Sequence, residues 1–112
     1  MKNTLGKHCL CEVFECCPLI LNDESLLIEI ITEAINKAEA TLLSVASHKF
    51  TPQGVTIVAL LSESHLSIHT WPEDKSAAID VFTCGNSKPE LAIDYMIEKL
   101  KAFKFNNRCI ER

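Results

Sequence analysis

Val55-Thr56-Ile57-Val58-Ala59-Leu60-Leu61-Ser62-Glu63-Ser64-His65-Leu66-Ser67-Ile68-His69-Thr70-Trp71-Pro72 holds the chain's most strand-like run and its densest chemistry. Residues 55–61 are apolar enough for a central strand, and they deliver the chain directly to Ser62, Glu63 and Ser64. From His65 to Thr70 the pattern alternates: Leu66, Ile68 and Thr70 oppose His65, Ser67 and His69, a period of two that marks a half-buried strand. Trp71-Pro72 ends that stretch, because proline donates no ladder hydrogen bond and restricts its neighbour. Residues 62–73 alone contain two histidines, three serines, two glutamates and the only tryptophan.

Working outward, Thr41–Phe50 is a β-rich run joined to residues 55–61 by Thr51-Pro52-Gln53-Gly54, a connection that reads as a hairpin. Further upstream, Asn22-Asp23-Glu24-Ser25 carries helix-start chemistry. Leu26, Leu27, Ile30, Ile31, Ala34, Ile35 and Ala38 then recur at helical spacing, opposed by Glu29, Glu33, Asn36 and Lys37. Lys7–Glu15 alternates with Cys9, Cys11 and Val13 on one face, and Pro18 is expected to end that strand. Downstream, Ala77–Thr83 is another apolar run, arriving at Cys84-Gly85. Ser87 and Glu90 are spaced as a capping box for a second helix striped by Ile93, Met96, Ile97, Leu100 and Phe103. Phe105–Ile110 suits a last edge strand. The expected fold is therefore α+β, a two-layer sandwich of a mainly antiparallel sheet with two helices packed on one face. The other face of such a sheet needs cover, and a homodimer is the economical solution.

The chain has 112 residues, the length of one domain (1–112), and is 47% hydrophobic with only three glycines. No long uncharged apolar run suggests a membrane span, and residues 1–8 lack a signal-peptide core, so a cytoplasmic protein is expected. A formal net charge of −4 argues against nucleic acid, since phosphate binding wants a basic surface. The six cysteines (9, 11, 16, 17, 84 and 109) are expected as free thiols in a reducing compartment, mostly small buried apolar residues. Cys9 and Cys11 share a face about 6.6 Å apart at strand rise, which leaves a metal site open, though packing is the commoner use of such a pair.

A Ser-His pair suggests a hydrolase. Yet Ser64 and His65 are adjacent, so in extended chain they point oppositely, and spacing shows no third orienting group. His65 and His69 would share a metal on a helix but lie about 13 Å apart on a strand. Zinc held by His65, His69 and Cys84 is a weaker reading for that reason.

Residues 62–73, followed by Ala78-Ile79-Asp80-Val81-Phe82-Thr83-Cys84-Gly85, resemble the prokaryotic S-adenosylmethionine decarboxylase proenzymes. The resemblance extends to Leu5-Gly6-Lys7-His8 and to His48-Lys49-Phe50-Thr51-Pro52-Gln53-Gly54-Val55, and so covers essentially the whole chain. It implies a self-processing enzyme of polyamine (spermidine) biosynthesis. The Ser64 hydroxyl would attack the Glu63 carbonyl to give an ester. β-Elimination would then leave an upstream chain of residues 1–63 and a downstream chain of residues 64–112, capped by a pyruvoyl group. His69 matches the processing histidine, which takes the proton from the Ser64 α-carbon. Thr56 stands where the family often has a serine that supports processing. Ser67 replaces a common threonine.

The resemblance further implies that the pyruvoyl ketone forms a Schiff base with the amine of S-adenosylmethionine, and that the adjacent amide carbonyl takes up charge as CO₂ leaves. Cys84 matches the proton donor that returns a proton to the substrate α-carbon. An unperturbed thiol titrates near ~8.5 and is mostly protonated at neutral pH. Phe50 could meet adenine or sulfonium, and Trp71 and Glu73 line the same pocket, with ordinary core packing the competing use of the two aromatics. The resemblance also suggests a homodimer with sites near its interface. No metal or nucleic acid is implied. Two alternatives stay open at this level: a pyruvoyl-dependent ornithine or arginine decarboxylase on the same scaffold, and a non-catalytic thiol or metal-binding module.

Overall fold

The computed structural model describes residues 4–112. Six strands form one antiparallel sheet: β1 (Lys7–Phe14), β2 (Leu42–Lys49), β3 (Val55–Leu61), β4 (Ser64–Trp71), β5 (Ser76–Thr83) and β6 (Lys104–Glu111), in the order β2-β3-β4-β5-β1-β6. Three helices accompany them: α1 (Pro18–Leu21), α2 (Glu24–Lys37) and α3 (Pro89–Lys99). The α+β two-layer expectation holds, with the one-turn α1 added. Strand β1 ends at Phe14, and Pro18 opens α1 rather than closing the strand. Proline suits a helix's first turn because the amide it lacks would have no partner there.

The core lies between the sheet and the helices. Cys9, Cys11 and Val13, Ile57 and Ala59, Leu66 and Ile68, and Ile79 and Val81 are buried on alternate positions of β1, β3, β4 and β5. They meet Leu27, Ile31, Ala34 and Ile35 of α2 and Ile93 and Met96 of α3. Asp23 caps α2 by accepting from the Leu26 amide at 3.0 Å. The expected capping box at Ser87–Glu90 does not form. Lys88 is the N-cap of α3 and makes no side-chain cap, while Ser87 donates to the Glu39 carbonyl. The reason is tertiary: the Lys88 amide donates to the Ala38 carbonyl at 2.8 Å and its ammonium pairs with Glu39, pinning this loop to the end of α2.

Thr70 is the buried polar tie of the structure. Its hydroxyl accepts from the Val55 amide at 2.9 Å and donates to the Leu21 carbonyl at 2.8 Å, joining β3, β4 and α1. The free-thiol expectation fails for two cysteines. Cys9 and Cys109 face each other across the β1–β6 ladder, Cα atoms 4.0 Å apart, and are disulfide-bonded. Strand register brings residues 100 positions apart into bonding range, which sequence order does not reveal. Cys11, Cys16, Cys17 and Cys84 are free; burial pushes the Cys11 and Cys16 thiols up to about 11, so both are inert at neutral pH.

The opposite sheet face carries His8, Leu10, Thr56, Val58, Leu60, His65, Ser67, His69 and Asp80, and among the described residues no helix covers it. Val58 and Leu60 remain 45% and 53% exposed there. Among the described residues no helix is long and apolar enough to cross a membrane.

Candidate active site

Strands β3 and β4 are joined by a two-residue turn, Ser62-Glu63, with Leu61 paired to Ser64. Thr41 fixes this turn: its carbonyl accepts from the Ser62 amide at 3.0 Å, and its own amide donates to the Glu63 carboxylate at 2.9 Å. Ser64 has φ of +146°, a backbone region that side chains other than glycine's rarely occupy. Neither Ser62 nor Glu63 has the positive φ that two-residue hairpin turns usually carry, and the positive angle falls on Ser64 instead.

Ser64 also pairs with Thr83 at the end of β5, which brings Cys84 alongside the turn. The Cys84 amide donates to the Glu63 carbonyl at 3.1 Å. That carbonyl belongs to the Glu63–Ser64 bond. A hydrogen-bond donor on a peptide oxygen, with a hydroxyl attached to the next residue, is the arrangement that stabilises developing negative charge during acyl transfer. Cys84 is exposed and its thiol is free. Glu63, Ser64 and Cys84 are thus brought together at one end of the hairpin.

The unusual Ser64 backbone overturns one expectation. Ser64 and His65 do not point oppositely: Ser64 Oγ lies 3.2 Å from His65 Nδ1. His65 Nε2 in turn lies 2.9 Å from Asp80 Oδ2, which also meets His8 Nε2 at 2.8 Å. Ser67 donates to the other Asp80 oxygen. Burial works to raise Asp80, but the hydrogen bonds from Ser67, His8 and His65 outweigh it and hold the carboxyl below its ordinary value. Asp80 and His8 had no assigned chemistry in the sequence. The available signal was periodicity: both fall on the open face of their strands, where a polar residue has no core to fill.

The other expected residues gather elsewhere. His69 Nδ1 is hydrogen-bonded to the Thr56 hydroxyl across the β3–β4 ladder. The His69 ring packs edge-on against Trp71 and Phe50, with centroids 4.3 and 5.7 Å away, and His48 lies 4.5 Å beyond Phe50. Phe50 and Trp71 are 40% and 41% exposed, so neither is a core residue. Glu73 is exposed on the 3₁₀ turn Pro72–Asp74 that follows Trp71, where Pro72 is the buried residue. His69 lies five residues along β4 from Ser64, roughly 16 Å at strand rise. The expected residues thus fall into two groups: Glu63, Ser64 and Cys84 at one end of the β3–β4 hairpin, and Phe50, Thr56, His69 and Trp71 at the other. A shallow groove lined by Thr56, Val58, Ser67, His69 and Asp80 lies on the sheet beside the Thr56–His69 pair.

Known proteins share this arrangement of the chain. Residues 7–112 match the family model described as S-adenosylmethionine decarboxylase. The S-adenosylmethionine decarboxylase proenzyme of Parasynechococcus marenigrum (strain WH8102) is 50% identical over 96% of this chain and 85% of its own. That of the archaeon Pyrobaculum islandicum is 50% identical over 89% of this chain and 82% of its own. The crystal structure of the adenosylmethionine decarboxylase from Aquifex aeolicus VF5 superposes with a TM-score of 0.93 at 37% identity, covering 99% of this chain and 92% of that one. With the family model spanning all six strands and the fold matching throughout, the chain belongs to the S-adenosylmethionine decarboxylase family.

Proposed function

We propose that this chain is a proenzyme that cuts itself between Glu63 and Ser64 and then, with a pyruvoyl group derived from Ser64, decarboxylates S-adenosylmethionine for polyamine synthesis in the cytoplasm. The observation that carries this reading is the Cys84 amide on the Glu63 carbonyl, 3.1 Å away, beside a serine with φ of +146°. Ser64 Oγ adds to the Glu63 carbonyl carbon, and the oxygen gains charge where an N–H already points. Collapse breaks the Glu63–Ser64 C–N bond and leaves an ester. Loss of the Ser64 α-proton then expels Glu63 as a carboxylate. Water displaces ammonia from the unsaturated terminus, leaving residues 64–112 capped by a ketone. Backbone strain at Ser64, of order 1–3 kcal/mol, is released as the peptide bond breaks.

The residues present fit such a group, and when formed it supplies the carbonyl that takes up the electrons of the C–CO₂ bond. Cys84, next to it and free, returns a proton to the substrate α-carbon. Phe50 and Trp71 offer exposed aromatic faces for an adenine and a sulfonium, worth roughly 0.5–2 kcal/mol for the cation. That pair favours the nucleoside substrate over ornithine or arginine. Glu73 completes this wall beside Trp71.

The roughly 16 Å between Ser64 and His69 supports a homodimer. Two copies related by a two-fold axis on the open sheet face would set the Thr56–His69 end of each against the Glu63–Ser64 end of the other. His69, oriented by Thr56, would then take the α-proton of Ser64 in the facing copy. Exposed Val58 and Leu60 supply apolar area for that contact. The test is release of labelled CO₂ from carboxyl-labelled S-adenosylmethionine, ornithine and arginine in parallel. Only the first should react; release from ornithine or arginine alone would overturn the substrate assignment.

A further inference from the structure

The family resemblance gives His65 no chemical role, yet it is the titratable side chain that touches the Ser64 hydroxyl. We infer that His65, held by Asp80 and His8, is the general base that activates Ser64 for self-cleavage; this rests on the self-cleavage reading above. The tautomer follows from the partners. An ionised carboxylate only accepts, so His65 Nε2 and His8 Nε2 both donate to Asp80. Neutral His65 is then left with its lone pair on Nδ1, the atom 3.2 Å from Ser64 Oγ. This is the base–orienter logic by which a weak serine nucleophile is made reactive.

The proton balance closes without any co-reactant. His65 Nδ1 accepts the Ser64 hydroxyl proton as Oγ bonds to the Glu63 carbonyl carbon, and the Cys84 amide holds the oxyanion. The Asp80 carboxylate faces the imidazolium that forms. When the C–N bond breaks, His65 returns the proton to the Ser64 nitrogen, giving an ester and a free amine. His69 then acts on a different atom, the α-carbon, in the second step. Asp80 is a positioning residue, itself held by Ser67 and by His8. The side chain of Arg112 lies 3.3 Å from His8 Nδ1 and 4.8 Å over the Phe82 ring. A guanidinium against the cluster, with both Nε2 atoms already engaged, favours proton transfer over metal binding by these three residues.

The experiment is a time course of chain cleavage after cell-free translation, read by intact mass, for the wild-type chain, His65→Gln and His65→Ala. Glutamine keeps the volume and hydrogen-bonding capacity but cannot act as a base. General-base loss is expected to slow cleavage by roughly 10²-fold or more in both variants, with added imidazole accelerating His65→Ala. Asp80→Asn should slow cleavage by about tenfold or more. Cleavage of His65→Gln within threefold of wild type would overturn the assignment, including where His65→Ala fails to fold. A wild-type chain that never cleaves would instead overturn the self-cleavage reading itself.

Discussion

Replacing Thr70 by valine removes one hydroxyl from the interior and changes little else. Thr70 is 1% exposed, valine matches its volume and branching, and both are at home in a strand. What is lost is the pair of bonds from Val55 N–H at 2.9 Å and to Leu21 C=O at 2.8 Å. Each stranded buried group costs about 1–3 kcal/mol. Partial relaxation of the one-turn α1, which carries Leu21, should spare some of that, so a total of about 2–4 kcal/mol is expected. For a domain of this size a loss of 1 kcal/mol lowers Tm by roughly 3–6 °C, which predicts a drop of about 6–24 °C. Thermal unfolding followed by circular dichroism, at matched protein concentration, measures it. Thr70→Ser keeps both bonds and should lose only about 1 kcal/mol for the methyl group. If Thr70→Val melted within 2 °C of wild type while the bonds are as described, the assignment of Thr70 as the tie between hairpin and helix would be wrong.

Further outcomes follow from the site. Cys84→Ala retains the backbone amide on Glu63, so it should still cleave, but it should decarboxylate at least about 10²-fold more slowly; normal turnover would remove the thiol from the reaction. Ser64→Ala and His69→Ala should each be inactive alone. Co-expressed, they should regain cleavage, because one of the two shared sites in the mixed dimer is intact, and no recovery would argue against composite sites. The Asp80 carboxyl is held below its unfolded value, so its stabilising contribution is complete above the ordinary carboxylate range and is lost as pH falls through the folded-state value. Acid unfolding of Asp80→Asn, monitored by Trp71 fluorescence, should therefore show a shallower dependence on pH below about 4 than wild type.

Much of the fold is legible in the sequence because it is written in local periodicity. The alternation at 65–70, the apolar run at 55–61 and the wide stripe on α2 each point one way, and the Asp23 cap agrees. Two of the failures are non-local. The Ser87 hydroxyl is diverted from its own helix by the end of α2, and Cys9 finds Cys109 only because β6 returns to pair with β1. The site divides the same way. Ser64, Cys84 and Glu63 are marked by a dense motif, but the Cys84 amide on the Glu63 carbonyl depends on β4 and β5 ending in register. The His65–Asp80–His8 cluster draws on three strands. The turn at Ser62-Glu63 rotates Ser64 out of the alternation on which the sequence reading relied. That rotation, invisible to side-chain pattern, puts the serine against His65.

The most direct test of the account is the intact mass of the purified protein. Two chains are predicted, one of residues 1–63 and one of residues 64–112 whose first residue carries a ketone in place of its amine, while Ser64→Ala remains a single chain. One unmodified chain of 112 residues that stays whole on prolonged incubation would contradict it.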